Sequence, residues 1–134
     1  MLNPNQKRFL MITFGVVEDE LRRLRELLRD HREERLFSRM KDDIDQEEKN
    51  LLNEKINYLM RYLVYLKKLF DLGESEFVLR YIVKATSVYL SIQLEEAMSE
   101  NLKGRGEIMP GLKEALDPKL NEMKLTLHQM ESIV

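Results

Sequence analysis

Residues 10–31, LMITFGVVEDELRRLRELLRDH, set Leu10, Phe14, Val17, Leu21, Leu24 and Leu28 at alternating spacings of four and three. Those spacings put all six side chains on one face of a helix, in the register of a coiled-coil seam or a bundle core. His31 holds the next position of that register, and there the pattern stops. Asn3-Pro4 supplies a start, a capping side chain followed by a residue already at helical φ, so a first helix is expected from Pro4 to about Glu33.

Beyond it, Leu36, Phe37, Met40 and Ile44 fall nearly opposite the first stripe if the helix simply continues. A buried face cannot change sides without a break. A bend or loop is therefore expected between about Asp30 and Asp45, with a short helical turn around Leu36 to Met40. Asp45 and Glu48 have the spacing of a capping box and open a second helix from about Gln46 to Asp71. Gly73 reads as its stop and Ser75 as the cap of a third helix reaching about Asn101.

That third helix is apolar around most of its circumference, with a narrow polar strip at Arg80, Lys84, Ser87 and Ser91. A helix of this kind has to be surrounded, by its neighbours or by a second copy of the chain. Gly104, Gly106, Pro110 and Gly111 mark a connection, with a possible short helix from Leu112 to Leu116. Asp117-Pro118 then resembles a second cap-and-proline start. It leads a final helix carrying Leu120, Met123, Leu127, Met130 and Val134 on one side.

These elements define an all-α chain, expected to form one domain over residues 1–134. The architecture read from them is an antiparallel four-helix bundle with three long helices and a shorter C-terminal one. Five Gly and three Pro are too few for the turns of a β-rich fold. Twenty-two basic against 24 acidic residues, a net charge of −2, argue against attraction to nucleic acid or an anionic membrane surface. Zero Cys excludes disulfides and thiolate chemistry and fits a reducing cytoplasm. Lys7-Arg8 and the apolar run to Val17 have the look of a secretory signal. The run is short, lacks a small-residue cleavage site and enters Glu18-Asp19-Glu20, so it reads as the buried start of a folded helix. No stretch is long and apolar enough to span a bilayer.

Motifs that carry chemistry are few. No nucleophile elbow, phosphate loop or cofactor fingerprint occurs, so no cofactor and no enzymatic activity are expected. Lys103-Gly104-Arg105-Gly106 lacks the helix and spacing of a nucleotide loop. His31 with Glu34, and His128 with Glu131, each place an imidazole and a carboxylate one helical turn apart. Together they form an incomplete metal-ligand set, because carboxylate-bridged bundles need further inward Glu residues. Arg22, Arg25, Arg29 and Arg32 form a basic flank beside the Leu stripe, a possible phosphate or partner face that Glu26, Asp30 and Glu33 tend to neutralise. Tyr58, Tyr62 and Tyr65 repeat at four and three along the second helix, an aromatic strip suited to a partner or dimer contact. Lys55, Thr86 and Gln93 fall inside apolar arcs; Lys55 needs a carboxylate or a route to solvent, and Thr86 and Gln93, one helical repeat apart, could line a small polar pocket. The function these features favour is that of a non-enzymatic adaptor, regulator or accessory subunit acting through protein–protein contact as a homodimer. Alternatives are a bundle that binds metal or a small ligand, and a nucleic-acid-binding regulator using the Arg flank.

Overall fold

The computed structural model describes residues 1–29 and 34–134 and is all-α, with no strand among the described residues. Its α-helices are α1 (Pro4–Leu28), α2 (Gln46–Leu69), α3 (Leu79–Glu96) and α4 (Leu112–Ile133), with a 3-10 helix at Ser99–Arg105. The chain divides into two compact units, Met1–Ser75 and Glu76–Val134.

In the first unit α1 packs against α2. Both helices start on local chemistry. The Asn3 carboxamide oxygen accepts from the Gln6 amide at 2.8 Å and the Gln6 side chain accepts from the Asn3 amide at 2.9 Å. Asp45 and Glu48 form the expected box, at 2.8 and 3.2 Å. These bonds satisfy donors that a helix start would otherwise leave open. An ion pair from Lys7, near the start of α1, to Asp71, just past the end of α2, makes the pair antiparallel.

α2 ends differently from the expectation at Gly73. Asp71 takes the left-handed conformation, φ 50°, and its amide donates to Lys68 O at 3.2 Å while the Leu72 amide donates to Lys67 O at 2.9 Å. This is a Schellman closure, and it turns Leu72 inward, where it is buried. Asp enters the left-handed region more easily than most residues, but Gly does so without strain. Asp71→Gly is therefore expected to raise the stability of the hairpin by about 0.5–1 kcal/mol. The exposed Lys7 pair that it removes contributes little. A chemical denaturation midpoint below that of wild type would contradict this.

The long α1 stripe is only partly covered. Leu21 is buried and Leu10, Phe14 and Leu28 are half-buried, but Val17 and Leu24 are exposed, Leu24 at 50%. The contact line runs instead through Lys7, Met11, Phe14, Glu18, Leu21, Arg25 and Leu28. One neighbouring helix covers one seam, and a wider apolar arc needs a second neighbour. The covered positions of α2 and its C-cap are Lys49, Asn53, Ile56, Met60, Leu63, Leu66 and Phe70. The loop end of the hairpin is polar: Lys49 pairs with Asp42, while Arg25 Nε and Asn53 Oδ1 are buried with no hydrogen-bond partner among the described residues. Residues 34–45 form no helix, so the turn expected at Leu36 to Met40 is absent, and Phe37 stands 97% exposed.

In the second unit α3 packs against α4. Arg80, at the start of α3, donates to Val134 O at the end of α4 at 2.6 Å, and Lys124 pairs with Glu95. These fix an antiparallel hairpin. α3 begins at Leu79, not at Ser75, with extended Val78 at its cap and no side-chain cap bond. α4 is also longer than expected. It runs unbroken from Leu112 with Pro118 inside it, so the shortest α-helix is α3, at 18 residues against 22. Gly111, at φ 88°, turns the chain into α4 in a conformation that suits glycine, and Pro118 then costs the helix one backbone bond.

Asp117 does not cap its own helix. Its carboxylate accepts from the Ser99 amide at 2.9 Å and from the Ser99 hydroxyl at 2.8 Å, fastening the start of the 3-10 helix to α4. The Ser99 amide and then its hydroxyl hold the Asp117 pKa below the ordinary 3.8. A depressed folded-state pKa contributes stability that is present above 3.8 and is lost as pH falls through the lowered value. Asp117→Asn is thus expected to melt at lower temperature than wild type at pH 7. The gap should narrow as pH drops below 3.8. A gap unchanged down to pH 2 would contradict the clasp.

Candidate functional site

The feature most relevant to function is the way the helices face. α3 meets α4 through Val83, Ser87, Ser91 and Leu94, so the two serines of the polar strip lie on the covered side while Arg80 and Lys84 stay exposed. Ser87 is 2% exposed and its hydroxyl donates to Val83 O at 2.8 Å, which lets it enter a tight contact with its own polar group satisfied. Small residues allow close approach of two helices, and Leu120 of α4 is buried in the same hairpin.

The consequence lies on the other side of α3. Val78, Ile82, Ala85, Tyr89 and Ile92 alternate at four and three on the face away from Ser87, and all are exposed, Tyr89 at 60%. This is the spacing of a helix–helix seam without a helix on it within its unit. α4 repeats the pattern: Leu120, Leu127 and Val134 lie on its covered side, while Met123 and Met130 of the same stripe are exposed.

α2 carries a second outward seam. Tyr58, Tyr62 and Tyr65 form a ladder with ring centroids 6.0 and 5.6 Å apart, each ring tilted on the next by 35° and 58°. The three are about half exposed, as are Leu51 and Leu69 at the ends of the same line. Ile56, which packs on α1, is two residues from Tyr58 and thus about 200° around the helix. The Tyr line therefore faces away from α1.

The other sequence-derived candidates fare as follows. Arg22 and Arg29 are engaged by Glu18 at 2.9 Å and Glu26 at 3.2 Å on their own helix, and Arg25 turns into the α1–α2 contact. Arg32 and His31 lie outside the described residues. Glu34 is exposed in an irregular segment. His128 Nδ1 lies 3.8 Å from Glu131 Oε2 on the surface of α4. Among the described residues no group of three or more His, Asp or Glu is placed to hold a metal ion. Thr86 and Gln93 are exposed, which corrects the reading of a polar pocket between them, and Lys55 is exposed with its route to solvent open. Lys103 and Arg105 belong to the 3-10 helix, with Gly106 at φ 142° just after it.

Sequence reasoning missed two sites. Lys49 is buried in the hairpin, and its place at the 49/53/56/60 spacing is a signal that apolar counting skips. The Ser99–Asp117 clasp joins residues 18 apart and leaves no local pattern. No family model matches the chain, and no match was found among curated proteins or solved structures. No helix among the described residues is long and apolar enough to cross a membrane.

Proposed function

We propose that this chain is a non-enzymatic interaction protein that self-associates as a homodimer through the outward apolar faces of its helices. Its role on this reading is that of an adaptor, regulator or accessory subunit in the reducing cytoplasm, a setting in keeping with a chain free of cysteine. The observation that carries the proposal is the orientation of α3. Its serine side is spent on α4, and Val78, Ile82, Tyr89 and Ile92 are left in contact with water. Large apolar residues in one line cost free energy when hydrated, by about 25 cal/mol per Å² of apolar surface. Contiguous apolar patches of this kind mark protein contact surfaces. The Tyr ladder of α2 adds a residue type that is enriched at interfaces, since the ring is buried while the hydroxyl stays wet.

Folding coupled to association gives a direct test. If the chain folds with its copy, its melting midpoint rises with protein concentration at fixed pH and salt. A midpoint independent of concentration from low micromolar to high micromolar would contradict self-association.

A further inference from the structure

We infer that the outward seam of α2 pairs with the same seam of a second copy of this chain, antiparallel, with Glu54 of each copy facing Arg61 of the other. The inference rests on the self-association reading above and names its interface. The seam is Leu51, Lys55, Tyr58, Tyr62, Tyr65 and Leu69, alternating at four and three, the a and d positions of a heptad. All six are exposed, and the α1 contact occupies the other side of the helix.

The charges beside the seam decide what covers it. Glu47, Glu54, Arg61 and Lys68 follow one another at intervals of seven, so they occupy a single heptad position on one flank. Read from the N-terminus, that flank is acidic and then basic. On the opposite flank the equivalent positions are Leu52 and Leu59, both exposed, and Leu66, which is half-buried. In an antiparallel pair each flank meets the same flank of the other copy, run backwards. Glu54 then faces Arg61, Glu47 faces Lys68, and the leucine flanks meet each other. In a parallel pair each flank meets the opposite one, and the charged line would lie along leucines. Among the described residues none of these four charged side chains makes an ion pair within the chain.

Register follows from the same residues. The alignment that pairs all four charges sets Leu51 beside Tyr62 of the second copy and Lys55 beside Tyr58 of the second copy. Lys55 is then a polar residue inside a seam, placed where its ammonium meets an aromatic face. A slip of one heptad would set Arg61 against Arg61 of the second copy. The outward seam of α3 has no such flank: Tyr81, Val88 and Glu95 lie on one side of it and Leu79, Thr86 and Gln93 on the other, with no acidic-then-basic run, so charge does not specify its partner.

The test uses the full chain with charge reversals at exposed positions, whose helicity is checked first by circular dichroism. Wild type is expected to sediment as a dimer at micromolar concentration. E54R and R61E alone are each expected to weaken the homodimer by roughly tenfold or more, since each places like charges opposite at two symmetry-related contacts. Mixing E54R with R61E is expected to restore affinity as a heterodimer, because one chain then carries two cations and the other two carboxylates. A monomeric wild type would overturn both the self-association reading and this interface. A wild-type dimer that neither variant weakens would overturn the interface alone and leave self-association standing. Orientation is read separately by oxidation in this cysteine-free chain. L51C mixed with Y62C is expected to cross-link and neither variant alone. Cross-linking of L51C with itself would overturn the antiparallel arrangement.

Discussion

Ile56→Ala is expected to lose about 2–5 kcal/mol from the α1–α2 hairpin, the range for emptying a buried large aliphatic position. Among the described residues of that unit, Ile56 is one of three buried apolar residues, with Leu21 and Leu72. Natural domains keep only about 5–15 kcal/mol of net stability, so the loss removes a large fraction of what holds the helices together. The contact has little reserve, because its flanking positions include Lys49, Asn53, Glu18 and Arg25. Urea denaturation followed by helicity should show the midpoint falling, with Ile56→Val losing only about 0.5–1.5 kcal/mol. A loss below about 1 kcal/mol for the alanine variant would mean that the cavity closes and the hairpin contact is weak.

The second large effect concerns Ser87, and its sign separates two views of α3. If the serine side packs on α4, Ser87→Leu forces bulk into the closest part of the contact and destabilises by about 1–3 kcal/mol or more. Ser87→Ala should be neutral or slightly stabilising, since the hydroxyl bonds only to Val83 O of its own helix and alanine is the better helix former. If instead the apolar side were the packed one, Ser87→Leu would sit on the surface with little effect. Thermal melts of the two variants beside wild type distinguish these outcomes.

Ser87 also shows where sequence patterning runs out. Periodicity finds the apolar side of a helix, and for α1 and α2 it located helices whose caps the structure reproduces at Asn3 and Asp45. Caps are legible because they are local: one side chain meets an amide three residues on. Which side of a nearly all-apolar helix is covered is not local. A serine strip reads equally as a solvated edge or as a close-packing groove, and α4 chose the groove. The same limit appears on α1 and α4. Each stripe was read as one helix face, yet a single neighbour leaves Val17, Leu24, Met123 and Met130 outside the contact.

Backbone details were misread for a different reason. Gly73 was the natural stop for α2, but Asp71 reaches the left-handed region first and Leu72 rewards it with burial. Asp117-Pro118 has the composition of a helix start and sits within a helix, because Gly111 begins the helix earlier and Ser99 claims the carboxylate. Of the candidate site residues, the three tyrosines fall in line, as spacings of four and three imply, and the structure leaves them about half exposed. The charged flank beside it was readable all along as Glu47, Glu54, Arg61 and Lys68. Its meaning depends on knowing which side of α2 faces α1, and that comes only from the structure.

On the proposed reading, the outward apolar lines of α2 and α3 pack against a second copy of this chain. Native mass spectrometry of the untagged chain at micromolar concentration tests it most directly. A dominant species at twice the 16.0 kDa chain mass is the predicted result. A single 16.0 kDa species, unchanged as concentration rises, would contradict the account.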